Sequence, residues 1–257
     1  MRTALLVLLA GSAIAPLVLL LTYSVGTNWF YPALRPPDTS GESWRSLLES
    51  GRLGGATATS TLLAVLNGAL ATAVAAPIGR AMATLRGLPR RLAAAAACLP
   101  VAAPPIAFGI GLQYSALRLG LNGTFMGVLL AHLAATVGYL SLFFLGVFAI
   151  WDARLEDEAR TLGATPGQVL RRVTLPLLRR PLLEGLTLGM LISWVQVPLT
   201  LLVGGGLVRT LPLEVFAYVR AGQDRFAATG ALLLILPALL ALAAMRLAVS
   251  RTAMVPT

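Results

Sequence analysis

Residues 151–184 read WDARLEDEARTLGATPGQVLRRVTLPLLRRPLLE, the longest interruption of apolar sequence between two membrane-length runs. Arg154, Arg160, Arg171, Arg172, Arg179 and Arg180 all lie in it. Arginine-rich connections between spans are retained on the cytoplasmic side, so the stretch is expected there. Asp152 is placed to cap a short helix from Arg154 to Leu162, and Gly163 follows at the position where a helix ends in positive φ. Thr165 offers a second N-cap, and Pro166 stands at the first helical position, where its missing N–H costs nothing. Gln168 to Val173 continue this second helix until Leu175–Pro176 is expected to force an exit. The stretch therefore predicts a helix-turn-helix elbow.

The 257 residues as a whole are 57% hydrophobic and 12% charged, the composition of a polytopic, all-α membrane protein. The net charge of +10 comes wholly from arginine, for there is no lysine. Because the arginines cluster between apolar runs and no basic-aromatic module accompanies them, topology accounts for them and nucleic acid is not an expected partner. Cys98 is the single cysteine and lies in an apolar run, so neither an internal disulfide nor a cysteine metal cluster can form.

Six spans of about 20 residues are legible, each long enough for a hydrocarbon core of roughly 30 Å. They run from Thr3 to Tyr23, Ala56 to Ile78, Leu92 to Leu117, from the outer turn Asn122-Gly123-Thr124 to Ile150, Leu182 to Val203 and Ala227 to Leu247. Ala13-Ile14-Ala15 mimics a leader cleavage site, but Pro16 follows and the apolar run continues, so the first span is read as uncleaved. Between the first two spans lies an outer loop with Trp29, Tyr31 and Trp44, aromatics suited to the headgroup layer. It includes a short interfacial helix over Glu42 to Ser50, with Trp44, Leu47 and Leu48 on one side. Arg80, Arg86, Arg90 and Arg91 are read as a short cytoplasmic turn. Gly204 to Phe226 is read as an outer re-entry loop whose Leu211 to Val219 has helical apolar spacing. Thirteen arginines then fall inside and seven outside, and both termini are expected in the cytoplasm of a bacterial inner membrane.

Two spans carry breaks. The third contains Pro100, Pro104, Pro105, Gly109 and Gly111, and the fifth reads SWVQVPLT at its centre. Broken helices persist at membrane depth where the freed backbone is covered by protein or lines a watery cavity. Pro104, Pro105, Ser193, Trp194 and Gln196 are therefore the candidate pathway residues. The second span, with Thr57, Thr59, Ser60, Thr61, Asn67 and Gly68, has the small and polar composition of a packing face. His132, the one histidine, has no acidic neighbour in its span and is read as an interhelical hydrogen-bonding group.

No Gly-Lys-Ser/Thr phosphate loop is present, no HExxH, and no serine-histidine-aspartate set at credible depth. Gly204-Gly205-Gly206 is read as a hinge. No enzyme site, resident cofactor or metal site is expected, so energy for any transport must come from a partner.

The elbow resembles the cytoplasmic loop of the permease subunits of type I binding-protein-dependent ABC importers. Their pattern is Glu-Ala-Ala, three residues, Gly, nine residues, an aliphatic residue, any residue, then Leu-Pro. It falls here on Asp157, Glu158, Ala159, Gly163, Val173, Leu175 and Pro176 with every spacing kept; Asp157 replaces Glu and Glu158 replaces Ala. The resemblance covers most of the chain after about residue 55. It implies a single transmembrane permease domain over 1–257, with a coupling loop at about 151–184 whose residues Glu156, Asp157, Glu158, Ala159, Gly163, Ala164, Val173, Leu175 and Pro176 engage the ATPase. It further implies two ABC ATPase subunits that bind ATP and Mg, a second permease subunit, identical or homologous, and an extracytoplasmic substrate-binding protein. The tract from Ser193 to Arg220 is most like permeases for polyamines, thiamine or ferric iron, although Gln196 stands where those often carry an acidic residue. Two other readings of the spans remain: a secondary transporter, which needs intramembrane ionisable pairs, and a non-transporting membrane scaffold, which leaves the elbow unexplained.

Overall fold

The computed structural model describes residues 2–29, 33–49 and 51–252. Tyr31 and Ser50, and the side chains of Arg2, Leu48, Arg246 and Arg251, lie outside the description. Among the described residues the regular structure is helical apart from one antiparallel pair of two-residue strands, Gly26–Thr27 with Asp38–Thr39. In order, the helices are α1 (Arg2–Val25), α2 (Glu42–Glu49), α3 (Arg52–Thr84), α4 (Gly87–Ala102), α5 (Pro105–Arg118), α6 (Phe125–Ala149), α7 (Arg154–Thr161), α8 (Pro166–Val169), α9 (Leu175–Trp194), α10 (Pro198–Gly204), α11 (Leu211–Arg220) and α12 (Asp224–Thr252). A π turn over Leu170–Thr174 joins α8 to α9.

These elements divide into two compact units, residues 62–208 and residues 1–61 with 209–257. In the latter, α12 packs on α1, α2 and α11. Two polar ties hold its connections: Ser60 Oγ accepts from the Leu211 backbone N–H at 2.8 Å, and Arg52 Nε donates to Glu214 at 2.9 Å. The interfacial helix expected near residue 42 is α2, anchored where Trp44 Nε1 donates to Ser24 Oγ at 3.3 Å. The helical spacing at Leu211 to Val219 becomes α11.

Residues 62–208 are layered along their helix axes. One apolar cluster gathers Leu63, Val128, Leu129, Leu199 and Val203; another gathers Ala71, Ala75, Leu140, Phe144, Phe148 and Leu178. Between them lies a polar layer of Asn67, His132, Thr136, Ser193 and Thr200, all buried. The close approach that makes this layer possible comes from Gly68. A Cβ built there would stand 2.7 Å from the Leu186 carbonyl oxygen, and the Gly68 Cα already meets the Cβ position of Gly189 at 2.9 Å. Small residues thus bring α3 and α9 backbone to backbone, the packing that membrane helices use where apolar burial gives no drive.

Among the described residues, α3 and α6 are each long and apolar enough to cross a membrane, and up to four spans result if each bent pair is counted as one. The bent pairs are where the sequence places its breaks, but the bends are sharper than an interrupted span implies. The third span is two helices meeting at 101°, α4 and α5, and the fifth bends by 63° at residues 195–197. The arginine-marked turn is also shorter than read. Only Leu85 and Arg86 separate α3 from α4; Arg80 is helical in α3, and Arg90 and Arg91 belong to the first turns of α4.

Candidate functional site

The elbow forms as two short helices about Gly163, which has φ +85°. Asp152 stands one residue before the N-cap of α7, which is Ala153, although its carboxylate accepts from the Arg154 N–H at 3.0 Å, and α7 itself ends at Thr161. The second helix opens with a reciprocal cap. Gln168 Oε1 accepts from the Thr165 N–H at 2.8 Å, and Thr165 Oγ1 accepts from the Gln168 N–H at 3.4 Å. The exit at Leu175–Pro176 does not occur. The helix runs on through the π turn, in which the Leu175 N–H reaches back to the Leu170 carbonyl, and continues as α9. A proline within an α-helix leaves one carbonyl without a donor and crowds it with its ring; the wider π ladder absorbs both, so Pro176 sits inside a continuous helix. The elbow is thereby joined to α9 without a flexible joint.

Glu156 locks the elbow to α3. Its carboxylate is buried, takes two hydrogen bonds from the Arg80 guanidinium, one of them Nη1 to Oε1 at 3.1 Å, and accepts from Thr174 Oγ1 at 2.7 Å. The guanidinium also lies over the Phe148 ring at 5.6 Å. Burial alone would push the Glu156 carboxyl up. The Arg80 and Thr174 hydrogen bonds, with the charges of Arg80 and Arg160, outweigh it and hold the group below its ordinary value. Asp157, by contrast, is exposed and among the described residues pairs with Arg160 alone, at 2.8 Å on the surface, a contact worth little. Glu158 is exposed too, so its extra carboxylate meets water. Leu162, at 88%, and Leu155 and Leu170 present apolar surface on the elbow.

The second constellation is the polar layer. Asn67 Nδ2 donates to the Gly189 carbonyl at 3.0 Å and to Thr136 Oγ1 at 2.9 Å, and Thr136 donates to the His132 carbonyl at 2.8 Å. The His132 ring spans the break in the fifth span: Nδ1 lies 2.8 Å from Ser193 Oγ on α9, and Nε2 lies 3.0 Å from Thr200 Oγ1 on α10. Thr200 commits its one hydroxyl proton to the Gln196 carbonyl at 2.8 Å. Its oxygen must therefore accept from Nε2–H, which leaves Nδ1 to accept from Ser193. A directed chain runs from Ser193 through the neutral imidazole to Thr200 and on to the backbone of Gln196.

Of the pathway candidates, Ser193 and Gln196 are thus brought together through His132, and Trp194 is buried beside them. Pro104 and Pro105 are exposed and belong to neither apolar cluster. The two broken spans meet one turn later, where Gly109 of α5 packs against Leu199 and Leu202 of α10. Sequence reading did not identify Arg80, Thr174, Thr136 or Thr200 as members of these sites. Arg80 had a signal, being the one charge in α3 beyond Arg52, but its partner lies 76 residues away.

A mainly helical chain with broken apolar spans, a buried polar layer and a rigidly attached elbow has the make-up of a membrane translocation component. Residues 75–254 match the family described as binding-protein-dependent transport system inner membrane component. The chain belongs to that family, the permease subunits of type I ABC importers. It is 35% identical over 201 residues to the molybdenum transport system permease protein ModB of Mycobacterium tuberculosis, covering 72% of this chain and 73% of that one. It is 32% identical over 151 residues to a putative 2-aminoethylphosphonate transport system permease protein, PhnV, of Salmonella typhimurium, covering 58% and 56%. To the spermidine/putrescine permease PotC of Haemophilus influenzae it is 29% identical over 119 residues, 46% of each chain. A crystal structure of a bacterial ABC transporter that imports the acidic polysaccharide alginate has the same fold, with TM-score 0.68 at 18% identity over 95% of this chain and 94% of that one.

Proposed function

We propose that this chain forms half of a substrate pore, pairs with an identical or homologous permease, and couples through the elbow about Gly163 to two ABC ATPase subunits that bind ATP and Mg. In this reading α1 and α12 complete six spans, the elbow and both termini are cytoplasmic, and an extracytoplasmic binding protein delivers the cargo. The observation that carries it is the elbow. Its second helix is closed by a capping box, and it is tied to α3 by Glu156, continuous with α9, and still leaves Leu162 88% exposed, an apolar tip that a partner surface would cover. A rigid lever of this kind transmits a partner's movement that a flexible loop would absorb.

Gly163→Val tests the coupling. A β-branched residue at φ +85° is strained by about 1–2 kcal/mol, although no neighbour would obstruct its side chain. The chain is expected to fold while ATPase co-purification and cargo-stimulated ATP hydrolysis fall severalfold; wild-type values of both would exclude the elbow as the coupling element.

The cargo proposed is an oxyanion. The polar layer carries no formal charge, and no aspartate or glutamate occurs between residues 53 and 151 or between 185 and 213, so the core offers a polyamine or metal cation no carboxylate. The extent of similarity to a molybdenum permease points the same way. Gln196, half-buried at the break, is proposed to touch the cargo. Gln196→Leu keeps its backbone bond to Thr200, so an assembled complex with running ATPase and much reduced molybdate uptake is expected. Normal uptake, or uptake of spermidine in place of molybdate, would refute the assignment.

A further inference from the structure

The acids of α7 point in different directions. Glu156 is buried toward α3, whereas Glu158, two residues on, stands on the opposite side of the helix and is exposed. Helical spacing sets Leu155, Glu158 and Leu162 along that outer side, at i, i+3 and i+7, and all three are exposed. The free face of the elbow thus reads apolar, acidic, apolar.

Among the described residues no side chain pairs with Glu158. Arg154, one turn before it, leans to Asp152 at 4.0 Å, and Arg160 is committed to Asp157 at 2.8 Å. The elbow's own fold therefore makes no use of this carboxylate. The family pattern has Ala at the position, so the shape of the elbow does not call for an acid there. A surface that covers the two leucines must also strip water from Glu158, a cost that apolar contact alone does not return. A cation on that surface, in contact with the carboxylate, offsets it. A surface that lacks the cation leaves the carboxylate dehydrated and unpaired, and is rejected.

We propose that Glu158 selects the ATPase: the groove that receives the elbow has apolar pockets for Leu155 and Leu162 and, between them, an arginine or lysine that pairs with Glu158. This rests on the coupling role proposed above for the elbow, and adds to it the chemistry of the receiving groove. An ATPase whose groove is shaped for alanine at this position binds the chain poorly.

The test is binding of the purified cognate ABC ATPase, the nucleotide-binding subunit that co-purifies with wild type, to the assembled permease in nanodiscs at low and high salt. Glu158→Ala is expected to weaken binding about tenfold and to remove most of its salt dependence. Glu158→Lys is expected to weaken it about a hundredfold, with recovery when one arginine or lysine of the groove is changed to glutamate. Both variants are expected to unfold at the wild-type temperature, since the Glu158 side chain bonds nothing within the described chain. Leu162→Asp, at an exposed position, reports on the docking surface itself. If Leu162→Asp weakens binding while both Glu158 variants bind as wild type does, or Glu158→Ala binds more tightly, the selection proposal is overturned and the coupling role stands. A loss in Glu158→Lys that no single reversal in the groove recovers also overturns it. If Leu162→Asp binds normally as well, or no ATPase accompanies wild type, the coupling role falls and the proposal with it.

Discussion

Arg80→Ala is expected to destabilise the chain by about 3 kcal/mol, the low end for removing one partner of a buried ion pair because Arg80 is itself 38% exposed. The Glu156 side chain, 2% exposed, would remain with only Thr174 as a close hydrogen-bond donor and the more distant charge of Arg160 at 3.8 Å. The dependence on pH should change sign. In wild type the folded-state value of Glu156 lies below its unfolded value. Its contribution is therefore complete above the ordinary carboxylate range and is lost as pH falls through the depressed value. Without Arg80 the burial effect dominates and raises the folded-state value, so the variant should instead lose stability as pH rises through it. Thermal unfolding of the purified chain across acidic to neutral pH measures both slopes, and parallel slopes would refute the role of Arg80. Arg80→Met combined with Glu156→Leu removes both charges and is expected to recover most of the lost stability.

His132→Leu is the second large effect. The ring is the only group on α6 that hydrogen-bonds both α9 and α10 among the described residues, and it does so on either side of the 63° bend. Leucine leaves the Ser193 hydroxyl without its acceptor in a buried layer, at a cost of about 1–3 kcal/mol, and removes the second bond, worth roughly 0.6 kcal/mol on average between membrane helices. Thr200 is then free of the imidazole, and the Ser193–His132–Thr200 tie across the break is lost. Cargo transport is expected to fall about tenfold or more while basal ATPase activity of the proposed complex changes little. His132→Asn, which offers one donor and one acceptor on a shorter arm, should recover part of it. Transport unchanged in an intact His132→Leu complex would leave the ring a packing group with no bearing on the break.

Much of this was legible from local chemistry. Gly163, the Thr165 N-cap, the positions of both span breaks and the helix at Leu211 all follow from backbone preferences and apolar spacing that act within a few residues, and each is found where the sequence puts it. The exit at Leu175–Pro176 was misread for the same reason. A local rule stops a helix at proline, whereas a π turn one step earlier keeps this one intact. His132 was legible as a hydrogen-bonding residue from its isolation among apolar neighbours, but not as a clasp across a break, since its partners lie 61 and 68 residues on.

By itself the sequence determined the membrane character, the capped elbow about Gly163 and the places where spans break, because composition and short-range sterics decide those. Only the tertiary structure decided which carboxylate of the elbow is buried, that Arg80 answers it, and that Asn67, Thr136, His132, Ser193 and Thr200 form one layer. A polar group at membrane depth must find a partner, but which one it finds depends on how closely glycines such as Gly68 let the helices approach, and no spacing along the chain encodes that distance.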